Sequence, residues 1–244
     1  MHDLESKLLP FELGIYHFDL QWKCFRVGSA SLSFEKVQPE QMPSDAQRVY
    51  DSGDIYKVVF TGSIEVPVLQ LIAKDGIFVS YVTVERDDAF PLLSVGDVTL
   101  LGKKISIRTV YDRKRNCLTV NGAEHSLEKN MMRLIRDPVS HVLHLLFKPQ
   151  KDSGTYSCGY FNDSTGKLHS LDVHFVREEN TFVGKIVIPA HTYVLNTSVQ
   201  LELPYQYDAT KDLFMPSLKE KVAFSHSFLG KVLFDYKNIE KKDF

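Results

Sequence analysis

Hydrophobic and polar residues alternate with a period of two along much of this chain. From Ile15 to Trp22, the residues Tyr16, Phe18, Leu20 and Trp22 alternate with His17, Asp19 and Gln21, the pattern of a strand with one face buried and one in water. Ile105, Ile107, Thr109 and Tyr111 alternate with Ser106, Arg108 and Asp112, and Leu171, Val173 and Phe175 with Ser170, Asp172 and His174; both read as half-buried antiparallel strands. Ile77 to Val84 and Phe182 to Ile188 are apolar on both faces, so each needs cover on both sides and is expected to be a central strand. Lys74-Asp75-Gly76, Asn121-Gly122 and Asn162-Asp163-Ser164-Thr165-Gly166 supply residues that tolerate positive φ and predict chain reversals.

One segment has a different period. In Asp137 to Phe147, Asp137 can cap free amides, Pro138 suits the first helical position, and Val139, Val142, Leu143 and Leu146 repeat on one helical face. The run Gly28-Ser29-Ala30-Ser31 has small side chains on both faces of a strand, and the helix is expected to lie there. The fold class is therefore all-β and mainly antiparallel, a curved sheet or partly open β-barrel with one short helix packed against it. No linker divides the chain, so residues 1–244 are expected to form a single β-rich domain, with 238–244 a frayed tail.

Composition narrows the classes. Lys plus Arg is 29 against 31 Asp plus Glu, a net charge of -2, which gives no reason to expect nucleic acid as a partner. At 43% hydrophobic and 25% charged, the chain can build a core and is not a disordered one. The longest apolar run, Ile64 to Ile72, is broken by Glu65 and Pro67 and falls short of the ~20 residues of a spanning helix, so no transmembrane segment is expected. The chain start shows neither the basic residues nor the apolar stretch of a secretory signal. Cys24, Cys117 and Cys158 are too scattered for a zinc site and are expected to be unbridged.

Catalytic patterns are weak. His141 and His144 share one side of the predicted helix, opposite its apolar stripe, and read as solvated histidines because no third metal ligand accompanies them. Nucleophile-elbow and phosphate-loop patterns are absent, and Ser33-Phe34-Glu35-Lys36 and Ser164-Thr165-Gly166-Lys167 match S-x-x-K only by letter. Asp87-Asp88 and Glu178-Glu179 read as solvated strand ends, and Lys103, Lys104, Arg108, Arg113, Lys114 and Arg115 as a charged hairpin end. No catalytic residue, metal or cofactor is expected.

The order of short motifs carries a resemblance. Leu9-Pro10-Phe11-Glu12-Leu13-Gly14, Val27-Gly28-Ser29-Ala30-Ser31-Leu32, Ser80-Tyr81-Val82, Tyr111-Asp112-Arg113-Lys114, Asp137-Pro138-Val139-Ser140, the segment from Asp212 to Pro216, and Gly230 together resemble the domain of unknown function 3108 family. Ile15 stands where that family usually has glutamate, and Val139 where it has leucine. The resemblance implies a bacterial exported protein of the periplasm or cell envelope with a curved sheet around a helix, and it implies no catalytic residues. The residues themselves fit a cytoplasmic protein equally well.

The leading expectation is a non-enzymatic cell-envelope protein that holds an apolar ligand, a lipid or acyl chain, in a β-barrel-like cavity. Burial contributes about 0.8 kcal/mol per methylene, so such a site needs few polar residues. Its expected wall is Phe18, Leu20, Trp22, Leu32, Phe34, Phe78, Val82 and Phe182, residues that could equally fill a closed core. The alternatives are a scaffolding module that binds another envelope protein and, third, a hydrolase or metal enzyme using His141, His144 or a strand carboxylate.

Overall fold

The alternating segment around Tyr16 forms β1 (Gly14–Trp22), with Tyr16, Phe18 and Leu20 buried and their neighbours half-exposed. In the computed structural model the chain then runs through β2 (Phe25–Val37), β3 (Asp54–Ile64), β4 (Ala73–Glu85), β5 (Asp88–Leu100), β6 (Lys103–Asp112), β7 (Cys117–Val120) and β8 (Ala123–Ser126), each antiparallel to the one before. A second meander comprises β9 (Gly154–Asn162), β10 (Lys167–Glu178), β11 (Thr181–Thr192) and β12 (Leu195–Asp208). β13 (Leu213–Pro216) and β14 (Val222–His226) both pair with β12, and β15 (Gly230–Glu240) pairs with β14 and with β1. The first and last strands thus join two meanders into one sheet of order β8-β7-β6-β5-β4-β3-β2-β1-β15-β14-β12-β11-β10-β9. The structure describes residues 11–70, 73–85, 88–100, 102–128, 131–147, 153–162, 167–178, 181–192, 195–208, 213–226 and 230–241.

The sheet is antiparallel, curved and not closed, with β8 and β9 as its edges. Val82 of β4 shares one core cluster with Leu203 and Tyr205 of β12. Those strands stand six steps apart in the sheet order, about 29 Å on a flat sheet at ~4.8 Å per strand, so the sheet must curl to bring them together. Bulges in the β1–β15, β1–β2 and β4–β5 ladders supply local bends.

The predicted helix is α3 (Pro138–Leu146), capped by Asp137, whose Oδ1 accepts hydrogen bonds from the amides of Val139 and Ser140 at 2.8 and 2.9 Å. It sits in the concavity against β3, β4 and β5 and also reaches β13, not over Gly28–Ser31 as expected. The small residues serve the sheet itself: a Cβ on Gly28 would stand 2.0 Å from the Ser63 carbonyl oxygen, so only glycine lets β3 approach β2 there. Two shorter helices, α1 (Ser44–Val49) and α2 (Pro67–Gln70), precede it. α1 covers the convex face, packing Ala46 and Val49 with Ile55, Leu93 and Val110, and Tyr81 of β4 joins them. β4 is covered by α3 on one side and by this cluster on the other only in its second half, where Ser80, Val82 and Thr83 are buried; Ile77, expected to be covered, is 43% exposed.

Other expectations change. Lys74-Asp75-Gly76 makes no turn: the three residues lie inside β4, Asp75 opposite Ser63 and Gly76 opposite Gly62, and the reversal comes earlier, at α2. Asn121-Gly122 does turn, with φ of 47° and 88°. The tip expected at residues 163–166 lies outside the described residues, between the paired Asn162 and Lys167. Asn238, Ile239 and Glu240 are not frayed but pair with His17, Tyr16 and Ile15; residues 242–244 lie outside the described ones.

The segment before α3 links the two ends of the sheet. Ile135 forms a parallel bridge to Gly159 on the β9 edge, where the Gly159 amide donates to the Leu134 carbonyl at 2.7 Å and the Arg136 amide to the Gly159 carbonyl at 3.1 Å. Ile135 and Met132 also pack on Tyr111 and Leu118 of β6 and β7. Among the described residues no helix is long and apolar enough to cross a membrane.

Candidate functional site

Two regions of the concave face can carry a function. The first lies beneath α3 and is polar. Asp137 accepts a hydrogen bond from Ser80 Oγ at 2.8 Å, and its amide donates to Ser140 Oγ at 2.9 Å. Burial pushes the Asp137 carboxyl up from the usual range, against the hydrogen bonds it accepts from Ser140, Ser80 and Val139. Beside it, Asp88 Oδ1 accepts from its neighbour's amide on Ala89 at 2.9 Å and from Arg136 Nη2 at 2.8 Å, and lies 2.5 Å from His144 Nδ1. Partial burial opposes ionisation of Asp88, but the bonds and charges of His144 and Arg136 outweigh it and hold its pKa down at about 2.

These contacts correct the sequence reading. His141 and His144 are not solvated: they are 6% and 7% exposed, their rings 6.4 Å apart, with Asp88 against His144 and Arg136 beside His141. Burial, with the nearby His144 and Arg136, drives the pKa of His141 down to about 3, so its ring is neutral in the fold. Asp88 is no solvated strand end but the acceptor at the centre of the cluster; Asp87 lies outside the described residues. The partners of Asp88 lie 48 and 56 residues away in sequence, a spacing that no local motif displays.

Phe90 closes this region, with the guanidinium carbons of Arg113 and Arg136 standing 4.1 and 4.7 Å from its ring centroid. Arg113 also grips Glu85 with two hydrogen bonds, at 2.7 and 3.2 Å. A cavity of about 210 Å³ lies alongside, lined by Arg113, Lys114, Arg133, Glu85 and Asp51 among others, below the roughly 300 Å³ at which ligand pockets begin. Two of its three lining cations are engaged, Arg113 with Glu85 and Lys114 with Asp51 at 2.9 Å. Arg108 pairs with Asp45, and Arg115 with Glu124; the basic residues do not form the single charged hairpin end expected, because Lys103 and Lys104 start β6 whereas Arg113, Lys114 and Arg115 follow its far end. Among the described residues no group of three or more His, Cys, Asp or Glu side chains is arranged to hold a metal.

The second region is apolar. Of the expected wall, Phe18, Leu20, Leu32, Phe34 and Val82 are buried together in the core cluster that α3 joins through Val139, Leu143, Leu145 and Leu146. Trp22 and Phe78 stand at its margin, packed on the core but only half-buried. Phe182 pairs with Tyr205 in the β11–β12 ladder, and its side chain lies outside the described ones. Phe60, Ile64, Leu69 and Phe234 share the margin, and the ring of Phe60 reaches across the concavity to Phe234 at 6.1 Å.

Between these residues runs a strip of small residues, its Ala30 end buried in the core. Ala30, Gly62 and Gly76 follow one another across β2, β3 and β4, next to the row that carries Phe60 and Phe78. A Cβ on Gly62 would meet only the Phe60 ring, at 3.7 Å, and one on Gly76 would come no nearer than 3.7 Å, to Val98. Both glycines are half-exposed, so the strip is the floor of a trough that α3 does not cover. No family model matches the chain, and searches of the curated proteins and of the solved structures find no match.

Proposed function

We propose that this protein is a binding protein rather than an enzyme, and that it holds one acyl chain of a lipid along the trough between α2 and α3. The observation that carries this reading is the half-exposed glycine floor at Gly62 and Gly76, walled by Phe60, Phe78, Ile64 and Leu69. A slender flexible chain fits a strip of small residues between aromatic walls, and each methylene buried there contributes about 0.8 kcal/mol. The polar cluster supports a structural role beside it: Asp88 accepts from three donors, one of them on His144, and Asp137 is spent on capping α3. We extend the proposal to the cell envelope on the motif order described above.

Native mass spectrometry of gently purified protein, followed by organic extraction, tests the reading. A lipid adduct near unit stoichiometry is the expected result. Gly62→Val and Gly76→Val are the controls: neither glycine has positive φ and neither would crowd backbone, so both variants should fold normally yet take up an environment-sensitive fatty-acid probe at least tenfold more weakly. Apo protein that takes up no probe, or variants that bind it unchanged, would end the proposal.

A further inference from the structure

One end of the sheet combines apolar and basic side chains. The antiparallel order brings the β1–β2 turn, the β3–β4 crossing at α2, and the starts of β6 and β15 to the same end of the molecule. The β1–β2 tip reads Trp22-Lys23-Cys24-Phe25-Arg26, and Phe25 is 73% exposed, more than any other large hydrophobic residue among those described. Lys23 places its Nζ 4.7 Å from the Trp22 ring centroid. Val66 and Leu69 lie half-buried at the neighbouring crossing, which Arg26 ties to the tip through two hydrogen bonds to Glu65, at 2.6 and 3.0 Å. Lys74, Lys103, Lys104 and Lys231 are exposed around this end. Glu65 is neutralised by Arg26, Lys104 lies 3.8 Å from Asp97 and Lys231 2.8 Å from Glu202, while Asp75 accepts a hydrogen bond from Ser63 Oγ at 2.8 Å; Lys23, Lys74 and Lys103 are exposed at the same end.

We infer that this end of the sheet docks on an anionic lipid bilayer, with Phe25 inserted among the acyl chains, Trp22 at the headgroup level and the lysines on anionic headgroups. A solitary exposed phenylalanine is too small a surface for a stable protein interface, which buries about 800 Å² on each partner. An aromatic tip beside an indole and flexible lysines suits the bilayer interface, where rings sit at the headgroups and lysine stems reach up to charge. The docking does not depend on a ligand in the trough, although Trp22 belongs to both.

The test is flotation of the full chain with vesicles of phosphatidylcholine, alone or mixed with phosphatidylglycerol, while tryptophan emission is followed. Trp22 is the only tryptophan, so a blue shift reports this end of the molecule directly. The mixed vesicles should carry the protein up with a blue shift, and added salt should weaken the partition. Phe25→Asp should lower partition at least tenfold, Lys23→Gln about fivefold, and Phe25→Trp should restore it. Gly62→Val should partition as the unaltered chain does, which separates this inference from the trough. Absence of flotation on either vesicle, flotation unchanged by Phe25→Asp, or an oligomer that Phe25→Asp dissolves in solution without any vesicle binding would each overturn it.

Discussion

The buried histidines make acid the natural probe of this fold. His141 is neutral inside, with its pKa lowered to about 3, whereas in the unfolded chain the ring takes up a proton near 6.5. The unfolded state therefore binds more protons, and stability falls as pH drops from about 6.5 toward 3, by at most about 1.4 kcal/mol per pH unit for one group. Asp88 adds a second window: its folded pKa of about 2 lies below the unfolded value, so its contribution is present above pH ~4 and disappears toward pH 2. Asp137 acts in the opposite sense, because its raised pKa favours the protonated carboxyl in the fold and offsets part of the acid loss. Urea denaturation across this range should show His141→Gln flattening the upper window alone. Asp88→Asn should remove only the lower window, while costing about 1–3 kcal/mol near neutrality through the donors it leaves on Arg136 and His144.

Two hairpin tips show how far local sequence can be read. Asn121 and Gly122 adopt φ of 47° and 88°, the positive values that this pair tolerates, and the turn is legible from the dipeptide alone. Lys23 and Cys24 adopt similar angles, 47° and 68°, without residues that favour them, so the β1–β2 turn was not. Replacing Lys23-Cys24 by Asn-Gly should stabilise the protein by about 1 kcal/mol, measurable as a higher unfolding midpoint. The strand pattern around Tyr16 and the caps of α3 were equally open to reading, since period and capping are properties of neighbours. The seat of α3, the burial of His141 and His144, and the glycine floor are hidden in the sequence, because they depend on which strands become adjacent. Gly76 reads as a turn residue from its neighbours, whereas its place is set by Gly62, its partner across the ladder.

At the scale of the whole molecule, an open sheet is steadied by a clasp at residues 134–136. Gly159 makes the clasp fit: a Cβ there would already stand 3.3 Å from Ile135 Cγ1 and 3.4 Å from the Leu134 backbone. Gly159→Val should therefore force the two ends of the sheet apart, at a cost of about 1–3 kcal/mol. Hydrogen exchange should show the Gly159 and Arg136 amides losing protection, while those of the β1–β2 ladder keep theirs.

The pairing of β1 with β15 also dictates a timetable. Gln21 and Asp235, which share a side-chain hydrogen bond across that seam, are 214 residues apart, so a ribosome must add all the strands between before one flank of β1 can find its mate. Until then the nascent chain carries an unprotected sheet edge beside Tyr16, Phe18 and Leu20. Refolding should accordingly be slow, in the range of milliseconds to seconds typical of long-range β topologies, and yields should depend on holding the waiting edge away from other chains.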